Sequence, residues 1–182
     1  MKKLWIVIMV VVLLLAACSN GVEEGEVDGT DEVIVVFPAS ISMDGDTEGM
    51  TAEIQEAGAT SVEENEDGSV SVAISAENLD KLKEKYHQEL SEMIDGIHSE
   101  GNMSSIKDIA YDEERFNTYD LTVDKAAYQS EDSMDGLLLF GLAMQSLMYQ
   151  VYNGEDEADI QVIFNLIDES TGEIFETNTL PE

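Results

Sequence analysis

The sequence predicts an α+β fold in which about three helices pack on a mainly antiparallel sheet. Short β-branched segments alternate with longer segments whose apolar residues recur every three or four positions. Neighbouring short segments are joined by turn sequences such as Asp67-Gly68, which connect antiparallel strands. Hydrophobic residues make up 43% of the 182 residues, which favours a packed core despite a formal net charge of -32. The predicted element order is β-α-β-β-α-β-β-α-β-β.

The first two predicted elements are a strand and a short helix. Residues 33–37 form a β-branched run that Pro38 ends, which is typical of a buried strand leading into a loop. Residues 47–57 predict a helix in which Thr47 is the N-cap and Gly58 is the stop signal.

A hairpin and a long helix follow. Residues 60–64 and 69–75 flank the Asp67-Gly68 turn, and Val70, Val72 and Ile74 fall on one face, which predicts a pair of antiparallel strands. Ser75 is placed to cap a helix that extends to about residue 99, where apolar residues recur at helical spacing and leave a charged opposite face.

The C-terminal half predicts two more strands, a third helical stretch and a closing hairpin. The strands lie at 105–110 and 115–123, the helical stretch runs from 125 to 152 with Asp124 as its cap and a break near Ser133, and the hairpin joins 160–167 to 173–179.

Residues 136–154 contain no charged side chain, and their number is close to that of a membrane span. Polar residues inside this run, and acidic rather than basic residues on both flanks, favour a central buried helix near 134–152 instead. In such a helix, Gly136 and Gly141 are expected to mark a close approach to the sheet, and Met134, Met144 and Met148 are expected to be packing residues.

The N-terminus predicts export. Two lysines precede an uninterrupted apolar run at 4–15, so residues 1–17 have the pattern of a signal peptide. The only cysteine, Cys18, comes directly after Leu-Ala-Ala, and this placement resembles the lipobox of bacterial lipoproteins. The resemblance implies cleavage between Ala17 and Cys18, a diacylglycerol on the cysteine thiol, and an acyl chain such as palmitate on the new amino group. The alternative is an ordinary secretory signal with an incidental cysteine.

Two further regions follow the signal peptide. Residues 18–31 predict a lipidated cysteine and an acidic, flexible tether, because they combine low hydrophobicity with repeated like charge. The thirteen residues after Cys18 span at most about 43 Å. Residues 32–182 suit one α+β domain. The predicted location is the extracytoplasmic face of the cell membrane, where the protein is held by its lipid anchor.

Composition excludes several classes of function. The chain has 40 acidic and 8 basic residues, and such a surface repels nucleic acid. Removal of the signal peptide takes away two lysines and leaves a net charge of -34, from 6 basic and 40 acidic residues. A single cysteine excludes a disulfide framework and zinc sites of the CxxC type.

One acidic loop is a candidate cation site. Residues 44–49 imitate the first half of an EF-hand loop, with Asp44, Asp46 and Glu48 as candidate ligands. The twelfth position, where a bidentate glutamate is needed, is Gln55. A solvated turn before a helix is the simpler interpretation and a weak Ca²⁺ site is the alternative, so no metal or other cofactor is predicted.

No catalytic residue is predicted. His87 and His98 lie on one helix face about 16 Å apart, too far to share a metal ion. The sequence contains no nucleophile elbow, no HExxH motif and no phosphate-binding glycine loop. It therefore favours a non-enzymatic envelope lipoprotein with an interaction or structural role and an unidentified partner. A module for a small ligand or a divalent cation is the alternative, and calcium titration of the protein separates these two classes.

Five segments of the exported chain form a recognisable set: 33–40 (VIVVFPAS), 65–70 (NEDGSV), 116–123 (FNTYDLTV), 148–154 (MYQVYNG) and 168–174 (DESTGEI). Together they resemble a family of uncharacterised lipoproteins of Gram-positive Firmicutes, sometimes labelled antigen I/II N-terminal-domain-like. The resemblance implies the same signal, acidic tether and α+β domain. It implies no activity, cofactor or catalytic residue.

Overall fold

A computed structural model describes residues 31–41, 47–99 and 105–181. In these residues the predicted order of strands and helices is confirmed, and so is the α+β class. The strands divide into two sheets, a division that local sequence patterns did not predict.

The first sheet consists of β1 (Glu32–Phe37), β2 (Ser61–Glu64) and β3 (Val70–Ser75), in the antiparallel order β1-β3-β2. The β2–β3 connection turns at Gly68, whose φ of 84° is accessible to glycine at little cost. The sequence predicted that three side chains of β3 share one face of the strand. The structure places all three in the core: Val70, Val72 and Ile74.

The second sheet consists of β4 (Ile106–Tyr111), β5 (Thr118–Val123), β6 (Val162–Asp168) and β7 (Ile174–Leu180), in that spatial order. This sheet contains three pairs of neighbouring strands, and the central pair, β5 with β6, is parallel. A parallel pair needs a long crossover connection, and here the chain forms helices between the two strands.

In the described ranges, four α-helices connect the strands: α1 (Thr47–Glu56), α2 (Ala76–Ser99), α3 (Lys125–Tyr128) and α4 (Asp135–Asn153). Two of the predicted caps, Ser75 and Asp124, are confirmed, and the side chain of the third, Thr47, lies outside the described part of the chain. The Ser75 hydroxyl accepts a hydrogen bond from the Asn78 amide at 3.2 Å, and the Asp124 carboxylate accepts from the first amides of α3. The predicted break near Ser133 separates α3 from α4.

One hydrophobic core joins both sheets and the helices between them. Helix α2 contacts α4, β3 and β4, while α4 also contacts β1 and β6. Leu90 of α2, Leu142 of α4, Val72 of β3 and Leu166 of β6 are all fully buried in this core.

Helix α4 confirms the predicted central helix, and eleven of its residues are buried. Two finer expectations were wrong. A Cβ atom at Gly136 or Gly141 would meet nothing within 4 Å, so these glycines do not mark a close approach to a sheet. Met134 is 64% exposed and does not pack in the core, whereas Met148 is buried and Met144 packs against the core, as predicted. None of the helices in the described ranges has the length and apolarity needed to cross a membrane.

A charged hydrogen-bonded contact links α1 to α2. The Glu53 carboxylate accepts hydrogen bonds from the Lys85 ammonium and the Tyr86 hydroxyl. Burial alone would raise the pKa of Glu53, but the hydrogen bonds from Lys85 and Tyr86 hold it below its usual value of 4.5.

We expect Glu53→Gln to lower the free energy of unfolding at pH 7 by about 0.5–1 kcal/mol, a modest value because the pair is partly exposed. Since the pKa of Glu53 is lower in the folded state, its contribution is present above the unfolded pKa and is lost as pH falls through the folded value. The difference between Glu53→Gln and the unmodified protein should therefore shrink below pH 4.5. Urea unfolding at several pH values measures it. Glu56→Gln, at an exposed position of α1, is the control, and a difference that stays constant with pH would contradict the prediction.

Candidate functional site

The side chains that the sequence singled out for lipidation and for cation binding lie outside the described part of the chain. Ala17 and Cys18 precede the first described residue, and Asp44 and Asp46 lie between the described ranges. Glu48 belongs to α1, but its side chain is outside the described part. Lipidation at Cys18 and cation binding in the acidic loop therefore stay predictions. Among the described residues, no group of three or more His, Cys, Asp or Glu side chains is placed to hold a metal ion.

Three lysines of α2, at 81, 83 and 85, form a basic cluster that neighbouring acids neutralise. Each of its three lysines lies within 4.0 Å of at least one carboxylate, so the cluster is not an unoccupied cationic site for an acidic ligand. The pairs are Lys81 with Glu77 at 2.7 Å, Lys83 with Asp80 at 3.7 Å, and Lys85 with Glu53 and with Glu89, the last at 3.7 Å.

His87 is an exposed residue whose ring packs on aromatic neighbours. Its ring centroid lies 5.2 Å from that of Phe116 and 6.0 Å from that of Tyr149. These contacts are the ordinary packing of a surface histidine, because no hydrogen bond to the ring is present in the described part of the chain. The side chain of His98 lies outside that part.

An open groove of about 720 Å³ lies between α4, β6 and β7, and we take it as the candidate site. Leu139 and Phe164, only 5% and 2% exposed, bring their buried side chains to its lining. Gly136 and Phe140 line it from α4, and because a Cβ at Gly136 would meet nothing within 4 Å, open space lies beside this turn of the helix. The rest of the lining is Tyr128, Thr177, Asn178, Thr179, Leu180 and Pro181.

Tyr128 is the one tyrosine among the residues that line this groove. Its ring packs edge-on against Phe175 at 6.3 Å, and the Lys125 ammonium lies 4.5 Å from the Phe175 ring centroid. Burial raises the pKa of Tyr128, and the negative charges of Glu176 and Asp135 raise it further. The phenol therefore stays protonated at neutral pH and is available as a neutral donor or acceptor.

Strand β7 places an amide and a carboxylate on the face of the second sheet that α4 covers. Asn178 is paired with Phe164, and Glu176 with Leu166, so all four side chains point to the same side of the sheet. The Asn178 amide donates a hydrogen bond of 3.0 Å to the Glu176 carboxylate. This side of β7 is therefore both polar and negatively charged.

An apolar ridge on α4 adjoins the groove. We define it as Met134, Leu137 and Phe140, whose side chains are 64%, 65% and 41% exposed. Leu137 and Phe140 lie about 60° apart around the helix, since successive residues are separated by about 100°. Phe140 belongs to both features, so groove and ridge form one continuous apolar surface. Exposed patches of this kind mark interaction sites more often than isolated exposed residues do.

The groove combines apolar surface with a few polar groups. Its lining consists of aliphatic and aromatic side chains with hydroxyl and amide groups. An apolar surface with a few polar groups is typical of a recognition site.

Sequence reasoning missed this site because it treated 136–154 as a central helix buried on most sides, without identifying the side left open. The signal that would have found it is the run of four apolar residues at 137–140. Four successive residues point in four directions about 100° apart, so they surround the helix and one or more must point away from the core. The residues of β7 that line the groove form no comparable apolar run in the sequence, so no local pattern would have predicted their role.

No protein-family model matches the chain, and neither the curated proteins nor the solved structures contain a significant match to it.

Proposed function

We propose that this chain is a lipid-anchored protein on the extracytoplasmic face of the cell membrane, with a non-enzymatic interaction or structural role. The observation that carries the proposal is the sequence Leu15-Ala16-Ala17-Cys18 directly after the apolar run at 4–15. Its resemblance to a lipobox makes Cys18 the site of lipid attachment. The wider resemblance to Gram-positive lipoproteins supports the same location.

Physical chemistry favours a domain held away from the bilayer. One acyl chain binds a membrane only weakly, whereas two or three chains on Cys18 would hold the protein stably. The acidic residues of 18–31 repel an anionic membrane surface, which favours an extended tether. The folded domain would then present its surface to partners outside the cell membrane.

The groove and the apolar ridge support an interaction role for that domain. A solvated, highly charged protein gains nothing from exposing Leu137 and Phe140 to water, since burial of each side chain is worth about 1.5–3 kcal/mol. Contact with a partner would recover part of that free energy. A small ligand is the second candidate, favoured by a groove volume of about 720 Å³, which lies in the range of small-molecule sites.

Lipidation is tested by metabolic labelling with a fatty acid and by mass spectrometry of the N-terminus. The wild-type protein should carry the fatty-acid label, and its N-terminal residue should be a diacylated Cys18. Cys18→Ala should lose essentially all label and retain residues 1–17, because the lipid acceptor and the cleavage position are the same residue. Ser19→Ala, a change at the next residue, should be labelled like the unmodified protein. An unlabelled wild-type chain cleaved elsewhere would refute the anchor.

A further inference from the structure

The groove differs from three other cavities in the charge of its lining. Those cavities, of about 390, 310 and 320 Å³, each have at least one lysine among their lining residues. The groove is larger, at about 720 Å³, and none of the described residues that line it is a lysine or an arginine. A positively charged ligand would therefore meet no like charge in this lining.

Two carboxylates border the groove. Glu176 lies on the groove side of β7, and its carboxylate accepts a hydrogen bond of 3.0 Å from Asn178, which lines the groove. Asp135 directly precedes Gly136, another lining residue. Burial raises the pKa of Tyr128 in the lining, and the charges of Glu176 and Asp135 raise it further, so the negative field of both carboxylates reaches the groove.

Two positive groups near the groove do not cancel these charges. The amino-terminal end of α4 carries about half an elementary charge, whereas Asp135 in its first turn carries a full negative charge. The Lys125 ammonium lies 4.5 Å from the centroid of the Phe175 ring, and Lys125 lines a different cavity together with three acidic residues. The groove is therefore a negatively charged environment.

The main chain of β7 adds hydrogen-bond acceptors. Five consecutive residues, 177–181, line the groove, so the chain borders it with an edge and not with one face alone. Among the described strands, only β6 pairs with β7, so the outward carbonyl oxygens of this edge accept no hydrogen bond from another described strand. An ammonium group has three N–H donors and no acceptor, which suits carbonyl and carboxylate oxygens.

The apolar lining specifies the rest of the ligand. Phe140 is 41% exposed, and Leu139, Leu180 and Pro181 add aliphatic groups to the lining. Covering these groups with apolar ligand atoms removes both surfaces from water, which is favourable. The face of an aromatic ring such as that of Phe140 also attracts cations. A ligand that joins a positive group to an apolar body would therefore use both properties of the groove.

We propose that the groove binds a small organic cation, in which an ammonium group is attached to an apolar body. The ammonium would face Glu176 and the edge of β7, and the apolar body would pack beside Phe140. The inference rests on the binding role proposed for the groove and names the class of ligand. An anionic ligand would be repelled by the two bordering carboxylates, and an inorganic cation would leave the apolar lining in contact with water.

The experiment titrates the purified full chain with four probes and follows backbone amide NMR shifts. Phenethylamine, phenethyl alcohol and hydrocinnamate share one apolar body and carry a positive, a neutral and a negative group, while methylammonium carries the charge alone. We expect phenethylamine to bind most tightly, with shifts concentrated at 136–140 and 177–180. The alcohol should bind about fivefold more weakly, and hydrocinnamate and methylammonium about tenfold more weakly or less.

One pair of variants tests the charge. Glu176→Gln keeps an acceptor for the Asn178 amide and removes the charge, so it should weaken phenethylamine binding by about fivefold. It should leave binding of the uncharged alcohol within about twofold, because that probe has no charge to lose contact with. Glu63→Gln makes the same change at an exposed position of β2 and should leave both affinities within about twofold.

A second pair tests the position of the site. A side chain at Gly136 would meet no protein atom within 4 Å, and this residue lines the groove, so Gly136→Leu should occupy part of it and weaken phenethylamine binding by about tenfold. Gly141→Leu makes the same change on α4, also into open space, at a residue outside the lining, and should leave the affinity within about twofold. Thermal melting of each variant checks that it is folded.

Four results would overturn the inference: no shift with any probe, equal affinity for the amine and the alcohol, equal weakening by Glu176→Gln and Glu63→Gln, or unchanged binding by Gly136→Leu. Equal affinity would leave the groove a small-ligand site of another class. Equal weakening would assign the binding to the net charge of the whole chain, which is -32. Fatty-acid labelling at Cys18 is measured separately, so failure of the anchor and failure of the groove are distinct outcomes.

Discussion

Replacing Tyr152 by alanine is expected to lower the free energy of unfolding by about 3–5 kcal/mol, the range for removing a large aromatic side chain from a core. Tyr152 is only 1% exposed and lies near the end of α4. The loss is a large part of the stability of an average domain, which is about 5–15 kcal/mol.

The size of the effect follows from the position of the ring. The Tyr152 ring lies edge-on to Phe37 of β1 at 5.9 Å and to Tyr86 of α2 at 5.0 Å. Edge-to-face pairs of this kind add about 0.5–1.5 kcal/mol beyond the area that they bury. Tyr152 therefore links α4 to the first sheet and to the long helix, and alanine would leave a cavity where these three elements meet.

The matched control is Tyr152→Phe, which keeps the ring and both of its aromatic contacts. We expect it to change the free energy of unfolding by less than about 1 kcal/mol. Burial raises the pKa of Tyr152 to about 12, so the hydroxyl is protonated at neutral pH and removal of it changes no charge there. Urea unfolding followed by far-ultraviolet circular dichroism measures both variants. Equal losses for phenylalanine and alanine would mean that the hydroxyl, not the ring, stabilises this junction.

Elements specified by local chemistry could be predicted from the sequence. The hairpin at Asp67-Gly68 depends on one turn, and α2 depends on a periodicity and on the Ser75 cap, so neither needs information from distant residues. The two-sheet arrangement depends on pairings between distant segments. β5 and β6 are parallel and adjacent although 38 residues separate Val123 from Val162, and no local pattern encodes that choice.

Phe116 shows a second limit. It is fully buried, yet its φ of 51° lies in the left-handed region, which bulky residues rarely adopt. Packing explains how it is held there: the ring stacks on Tyr111 at 5.6 Å and lies edge-on to Tyr149 at 5.2 Å. A turn prediction places glycine or asparagine in such a conformation, so only the assembled core accounts for phenylalanine.

The same distinction applies to the site. Cys18 could be proposed as a lipidation site because the lipobox that its surroundings resemble is a contiguous motif. The groove exists only because α4 brings Phe140 beside β7, whose residues are about forty positions later in the chain. Its chemistry is carried by common residue types such as Tyr128 and Asn178, which have no distinctive spacing.

Replacing Asp135 by alanine is expected to lower the free energy of unfolding by about 2–3 kcal/mol, the range for a buried hydrogen bond to a charged group. Asp135, at the first turn of α4, is 3% exposed. Its carboxylate accepts hydrogen bonds from the hydroxyl of Ser105, which is fully buried, and from that of Ser133 at 3.0 Å. Alanine would leave the Ser105 hydroxyl without this acceptor and would remove a negative charge from a helix N-terminus, where it is favourable.

Three further variants separate these two effects. Asp135→Asn keeps an acceptor of similar size and removes only the charge, so it should cost about 1 kcal/mol. Asp132→Ala removes an exposed acid and should change the free energy of unfolding by less than about 0.5 kcal/mol. Ser105→Ala combined with Asp135→Ala should cost less than the sum of the single changes, because Ser105→Ala removes the hydroxyl that Asp135→Ala leaves unpaired. Additive losses in urea unfolding would contradict a hydrogen bond between the two side chains. Non-additive losses would also identify the contact that fixes the N-terminal end of α4 against β4. This end of α4 borders the groove, because Asp135 directly precedes Gly136 of its lining.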